Sequence, residues 1–204
     1  MNKSLNTLFL SISRKENKMG KIKVIALFGK SGSGKDTISE WMVNNIENTH
    51  KIISCTTRSK RQNEEEGKDY YFLTDEDFAE KIIKNEMLEA TCFRGNFYGT
   101  PLDSLKPEKI NIGVFDCSGV QNLLDDSRLE VIPVYIFATD KTRLIRSLQR
   151  ENNPNCHEIC QRFFTDEENF KNIEFDFEVF LNEDSNDCDF SSIKEVLNGF
   201  DQSV

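Results

Sequence analysis

Residues 22–37 read IKVIALFGKSGSGKDT, and they confine the fold more tightly than any other stretch of the chain. The run 22–28 is short, apolar and rich in β-branched residues, and it stops at Gly29, as a strand buried in a parallel sheet would. Beyond the glycines, Ile38, Met42, Val43 and Ile46 fall on one face of a helix. Strand, glycine loop and helix in that order form the setting in which G-x-x-x-x-G-K cradles phosphate. Gly29, Gly32 and Gly34 let the backbone curl until successive N–H groups point inward, with Ser31 and Ser33 between them. The helix opening at Gly34 adds the positive end of its dipole, and Lys35 a point charge suited to β- and γ-phosphates. A glycine-rich turn with an exposed lysine is the plainer alternative, and it leaves the flanking strand and helix unexplained. Where the motif has Ser or Thr to hold Mg²⁺, this chain has Asp36, followed by Thr37. A carboxylate is a hard oxygen ligand for Mg²⁺, and it also suits a helix cap, so both roles stay open for Asp36.

The rest of the chain alternates in the same manner. Segments 51–54, 110–116, 131–138 and 177–182 read as strands. Helices are expected from Thr74 (with Asp77 as capping partner), over GVQNLLDD, over TRLIRSLQR, over 157–170 and from Ser192. Segment 55–72 reads as polar and turn-like, 86–100 as irregular, and 151–156 as a loop. Alternating strands and helices predict an α/β fold with a parallel sheet. A length of 204 residues, 37% apolar and 30% charged, suits one globular domain. The net charge of −9 argues against a nucleic-acid duplex or an anionic membrane as main partner, and no apolar run approaches bilayer length. Six irregularly spaced cysteines fit a reducing, cytoplasmic setting. Residues 1–19 read as an extension without fixed structure, with the folded domain spanning 20–204.

Two further stretches carry a family resemblance. Residues 54–72 read SCTTRSKRQNEEEGKDYYF and 89–100 read EATCFRGNFYGT. They resemble the guanylate kinase family, with its S-x-T-T-R-x-x-R, then G-x-D-Y, then E…G-N-x-Y-G-[ST], and the likeness runs from about residue 22 to about residue 182. The resemblance implies a P-loop NTPase core, a parallel sheet flanked by helices, with an inserted acceptor-binding region near 54–100 and a small lid near 145–165. It implies transfer of the ATP γ-phosphate to GMP, and to dGMP, with Mg²⁺ as cofactor and no obligate protein partner. By the same resemblance Arg58, Arg61, Tyr70 and Tyr98 hold the acceptor's phosphate, while Glu89, Ser54, Thr100 and Asp116 face its base. The chemistry agrees: guanidiniums clamp a phosphate dianion, and carboxylates suit the N–H donors of guanine. Asp116 also stands where a residue would cap the following helix. Two positions before it the family usually has an acid, and this chain has Val114, which opens the reading of a broader acceptor range, while Asp36 resembles the variant of phage deoxynucleotide kinases and opens the reading of a phage-like (deoxy)nucleotide kinase.

Arg143, Arg146 and Arg150 precede the 151–156 loop and Arg162 follows it. Arg146, Arg150 and Arg162 best match the family's lid arginines, with one residue more than usual between the last two. Such arginines spread the charge that develops during phosphoryl transfer, although solvated helix faces carry arginines as well. Cys156, His157 and Cys160 lack the second ligand pair a structural zinc requires, and His50 is expected at the exposed end of the first helix. A binding module that keeps the fold without catalysis is the remaining alternative. The intact glycines and Lys35 argue against it.

Overall fold

The structure, a computed structural model, describes residues 20–171 apart from 62, 94 and 151, together with 178–180. The expected extension 1–19 and the closing helix from Ser192 lie outside the described residues. Strand β1 (Ile22–Phe28) enters the centre of a five-stranded sheet. Among the described residues this sheet has the order β2 (Thr49–Lys51), β7 (Ile110–Val114), β1, β8 (Leu129–Phe137), β9 (Glu178–Phe180), all parallel. The register runs Val24 beside Asn111 on one edge and beside Val131 on the other.

Alternation along β1 sorts the core into two layers. Ile25 and Leu27 pack with Ile38 and Met42 of α1 (Lys35–Asn45), together with Ile112, Val134 and Ile136. Val24, Ala26 and Phe28 pack on the opposite face with Val120 and Leu123 of α3 (Cys117–Asp125). A strand buried on both faces has little room for polar side chains, which is why 24–28, the buried part of β1, is apolar throughout and Lys23 lies at its half-buried start.

The segment 55–101 departs from expectation. Segment 86–100 is regular: β5 (Met87–Phe93) and β6 (Asn96–Pro101) form an antiparallel hairpin turning at Gly95, whose φ is +77°. Neither strand is deeply buried along its length, so backbone pairing holds the hairpin and no apolar alternation advertises it. Two-residue strands β3 (Cys55–Thr56) and β4 (Tyr71–Phe72) join it in a second sheet of order β4-β3-β6-β5. The strand expected at 51–54 ends at Lys51, and His50 lies in β2, its Nε2 2.9 Å from the Ser104 carbonyl oxygen, rather than at a helix end. Helix α2 (Asp75–Ile83) is capped by Thr74, whose side chain accepts the Asp77 N–H at 3.1 Å. Helices α4 (Asp140–Gln149) and α5 (Cys156–Asn169) flank the loop near 151–155, and α5 is capped by Asn155.

Candidate active site

The glycine loop leaves the C-terminal end of β1, the edge of an open α/β sheet where ligands gather. Its glycines are sterically required. A Cβ on Gly29, at φ +153°, would fall 2.4 Å from the Ile136 carbonyl oxygen; one on Gly32, at φ +80°, would fall 2.7 Å from that of Arg143. The Lys35 ammonium is folded back on its own loop, donating to the carbonyls of Gly29 at 2.9 Å and Lys30 at 3.2 Å. Burial lowers its pKa, and Arg143 and Arg150 push the same way while Asp36 and Asp166 oppose them. The buried hydroxyls of Ser33 and Ser39 have no hydrogen-bond partner among the described residues. The loop thus sets the Lys35 cation among tightly turned glycines at the mouth of β1.

A cavity of about 1020 Å³ extends from this loop toward the second sheet. Arg58, Arg61, Tyr70 and Tyr98 line its far end. The Arg58 guanidinium lies 5.2 Å from the Tyr70 ring centroid, and the Tyr70 and Tyr98 rings meet edge-on with centroids 6.3 Å apart. Burial pushes the Tyr70 phenol up to about 12, with the Asp36 charge adding to it, so it stays a hydrogen-bond donor. Glu64, in the segment 55–72 that reads as polar and turn-like, sits within this cluster. Its carboxylate accepts two hydrogen bonds from Arg58, at 2.7 and 2.6 Å, and one from the Arg61 N–H at 2.8 Å. Burial alone would raise its pKa, but the bonds from Arg58 and Arg61 hold it below the ordinary glutamate value. Arg61 is pulled down by burial and by the neighbouring charges of Arg58, Arg162 and Arg150. A cluster of cations in one cavity wall is costly without an anion between them.

Between the two cationic ends lie the carboxylates. Glu89, on β5, is 9% exposed, and Thr100 on the paired strand donates its hydroxyl to Glu89 Oε1 at 2.7 Å. The Ser54 hydroxyl lies 3.3 Å from that of Thr100. Burial raises the Glu89 carboxyl to about 7, with Asp116 adding to the shift and the Thr100 bonds opposing it. Asp116 caps α3, its Oδ1 accepting from the Gly119 N–H at 2.7 Å and the Ser118 hydroxyl at 2.8 Å. It also borders the cavity, so the capping and cavity-facing readings meet in one residue. A Cβ on Gly119 would lie 3.3 Å from Asp116 Oδ1 and 3.5 Å from Glu89 Oε2, which puts both carboxylates at one spot. Val114 lines the cavity as an apolar wall.

Arg146, Arg150 and Arg162 reach the same cavity from α4 and α5. Arg146 Nη1 lies 3.4 Å from the Ser33 carbonyl oxygen, Arg162 is held by Glu158, and the Arg162 Nε is buried without a partner among the described residues. Gly29, Ser31, Gly32, Gly34, Asp36 and Thr37 border the cavity too. Ser33 and Thr100 do not, since both are fully buried behind the wall. Arg143 separates from the other arginines. It is fully buried and bonded to Asp140, Asp166 and the Ser31 carbonyl. Neither Asp166 nor Glu64 was found from sequence: Asp166 pairs with an arginine 23 residues away, and Glu64 pairs with Arg58 six residues away as well as with Arg61.

Comparison with known proteins gives the family and the fold. The family described as guanylate kinase matches residues 21–199. A guanylate kinase of Prochlorococcus marinus (strain MIT 9312) is 35% identical over 163 residues, covering 77% of this chain and 88% of the relative. That of Malacoplasma penetrans (strain HF-2) is 34% identical over 179 residues, covering 83% and 89%. The crystal structure of guanylate kinase from Anaplasma phagocytophilum shares the fold, with a TM-score of 0.63 at 24% identity, over 89% of this chain and 88% of the other.

Proposed function

The chain belongs to the guanylate kinase family, and on that premise we propose that it transfers the γ-phosphoryl group of ATP to GMP, and to dGMP. The observation that carries the reading is one cavity with a phosphate cradle at one end, an arginine–tyrosine cluster at the other and two carboxylates between. ATP lays its triphosphate on the glycine loop, where Lys35 turns from its loop carbonyls to the β- and γ-phosphates. GMP enters from the second sheet. Arg58, Arg61, Tyr70 and Tyr98 hold its phosphate, and Glu89 and Asp116 accept from the guanine N1–H and amine, with Ser54 and Thr100 fixing the Glu89 carboxylate.

An acceptor phosphate oxygen attacks the γ-phosphorus in line. A new P–O bond forms, the bond from the γ-phosphorus to the bridging oxygen breaks, and ADP leaves with that oxygen. Arg146, Arg150 and Arg162 spread the charge on the transferring group, so positioning and electrostatics supply the catalysis. Segments 54–100 and 145–165 serve as the acceptor region and lid, and closing them over the substrates excludes water. Asp36 and Thr37, hard oxygen donors beside the loop, suit Mg²⁺ and would hold it there. When bound, Mg²⁺ neutralises charge on the β- and γ-phosphate oxygens.

An ATP-consumption assay with Mg²⁺ against GMP, dGMP, AMP, CMP and dTMP tests this. Turnover confined to GMP and dGMP is expected. Equal turnover with AMP or CMP would sink the base-recognition roles of Glu89 and Asp116, and no turnover with any acceptor would sink the enzyme.

A further inference from the structure

One polar network at the lid is not used by the reaction as proposed. Arg143, on α4, is 0% exposed. Its Nη1 donates to Asp140 at 2.6 Å, its Nη2 to Asp166 Oδ2 at 2.8 Å and its Nε to the Ser31 carbonyl at 3.0 Å, while its Cζ lies 4.3 Å from the Phe163 ring centroid. Asp166, on α5, accepts the Ser31 N–H at 2.7 Å through the same Oδ2. Both backbone polar groups of one loop residue are thus bound by side chains from two different helices. The neighbouring pair repeats the link, with Lys30 Nζ 2.5 Å from Glu167 Oε1. Two consecutive loop residues are tied to two consecutive residues of α5.

A buried ion pair adds little net stability, because desolvation offsets its attraction, and apolar side chains of like size would serve stability as well. What such a pair does supply is a fixed geometry. We infer that Arg143 and Asp166 are positioning residues for phosphoryl transfer, pinning α5 to the glycine loop so that the lid arginines meet the phosphates in register. The inference rests on the function proposed above. Arg162 lies four residues before Asp166 and Arg146 three after Arg143, so each shares a helix face with a member of the pair. Holding Asp166 on the loop therefore carries Arg162 to the cavity, and holding Arg143 carries Arg146 to within 3.4 Å of the Ser33 carbonyl. Because Arg143 neutralises Asp166, the carboxylate grips a loop N–H without setting an uncompensated negative charge beside the triphosphate. The acceptor cluster stands on the second sheet, outside this network.

The test uses Asp166→Ala and Asp166→Asn in the full chain. Arg143 keeps Asp140 as a partner in both variants, which favours folding. Asp166→Ala should lower kcat about 10- to 100-fold and raise KM for ATP several-fold, the scale of a small misplacement, while KM for GMP stays within about twofold. Amide exchange over residues 29–35 should speed up in the same variant. Asp166→Asn, which keeps an oxygen for the Ser31 N–H, should lie between Asp166→Ala and the parent in both measurements. The double variant Arg143→Met/Asp166→Leu replaces the buried pair with apolar side chains of like size and should keep the parent's melting temperature while remaining slow. Parental kcat in Asp166→Ala or in the double variant, or unchanged exchange over the loop, would overturn the inference. A parent chain that turns over no acceptor would instead overturn the proposed function, and the exchange measurement reads the tether independently of it.

Discussion

The two ends of the cavity present positive charge by different means. At the β1–α1 end the cradle is backbone: Gly29 and Gly32 have no room for a Cβ, and the loop is gripped from outside by Arg143 and Asp166. At the second-sheet end the charge is side chain. Arg58 and Arg61 sit at and beyond the end of a two-residue strand, and their geometry is set by Glu64. A backbone cradle is fixed by sterics and tolerates almost no substitution; a side-chain clamp is fixed by an ion pair and fails by degrees. The difference predicts separate kinetic signatures, with damage at the loop reading mainly in kcat and damage at the clamp mainly in acceptor KM.

Lys35→Ala is the harshest test of that division. It removes a charge expected to strengthen its contacts in the transition state, and kcat should fall about 10³-fold. Far-UV circular dichroism should stay unchanged, because the Lys35 bonds to the Gly29 and Lys30 carbonyls are not part of the sheet. Turnover near the parent's rate in a folded Lys35→Ala would break the comparison at its rigid end.

Arg58→Ala should act on binding. It deletes charge-assisted bonds worth about 2–3 kcal/mol, so acceptor KM should rise roughly 100-fold with a smaller change in kcat. It also leaves Glu64, 8% exposed, with only Arg61 for charge compensation among the described residues. A variant whose kcat fell 100-fold at constant KM would show that both ends act in the transition state alone.

Much of this arrangement was legible because its signals are local. The loop is seven residues long, and the S-x-T-T-R-x-x-R spacing lies in one short stretch. Strands β1, β7 and β8 announced themselves because a strand covered on both faces is mostly apolar, with few polar positions such as Lys23, Asn111 and Glu130. The β5–β6 hairpin stayed hidden because its strands are partly exposed and carry no apolar alternation, so the backbone pairing that holds it leaves little periodic signal. Glu64 was lost within EEE because only folding decides which of three acids turns inward. Arg143 and Asp166 were beyond reach for another reason: their pairing joins separate helices, and no periodicity connects residues 23 apart.

Glu89 lies between the two ends and adds a pH dependence that neither shares. Its carboxyl is raised to about 7, chiefly by burial, so the folded protein holds this proton more tightly than the unfolded chain does. The group therefore favours folding below about pH 4.5, and that contribution is lost as pH rises through about 7. If Glu89 accepts from guanine as proposed, the ionised carboxylate is required, and acceptor binding runs the opposite way. KM for GMP should rise about tenfold between pH 8 and pH 6, as the ionised fraction falls. Glu89→Gln should raise KM at every pH, flatten the profile and stabilise the free protein at pH 8, as read by thermal unfolding. An unchanged slope in that variant would assign the titration to another group.

The mildest change expected at the clamp is Tyr70→Phe. The ring keeps its place beneath Arg58 and against Tyr98, since those contacts use the aromatic face and edge rather than the hydroxyl. Only a neutral donor is lost, about 0.5–1.5 kcal/mol, so acceptor KM should rise between about twofold and tenfold with kcat unchanged. The size of the effect separates two pictures of the clamp. If the guanidiniums do the binding and the phenols only orient it, Tyr70→Phe will stay near the low end and Arg58→Ala will dominate. A loss matching that of Arg58→Ala would mean that the Tyr70 hydroxyl organises the cluster. The second sheet would then resemble the loop after all, a rigid site in which no single donor can be removed without disturbing the rest.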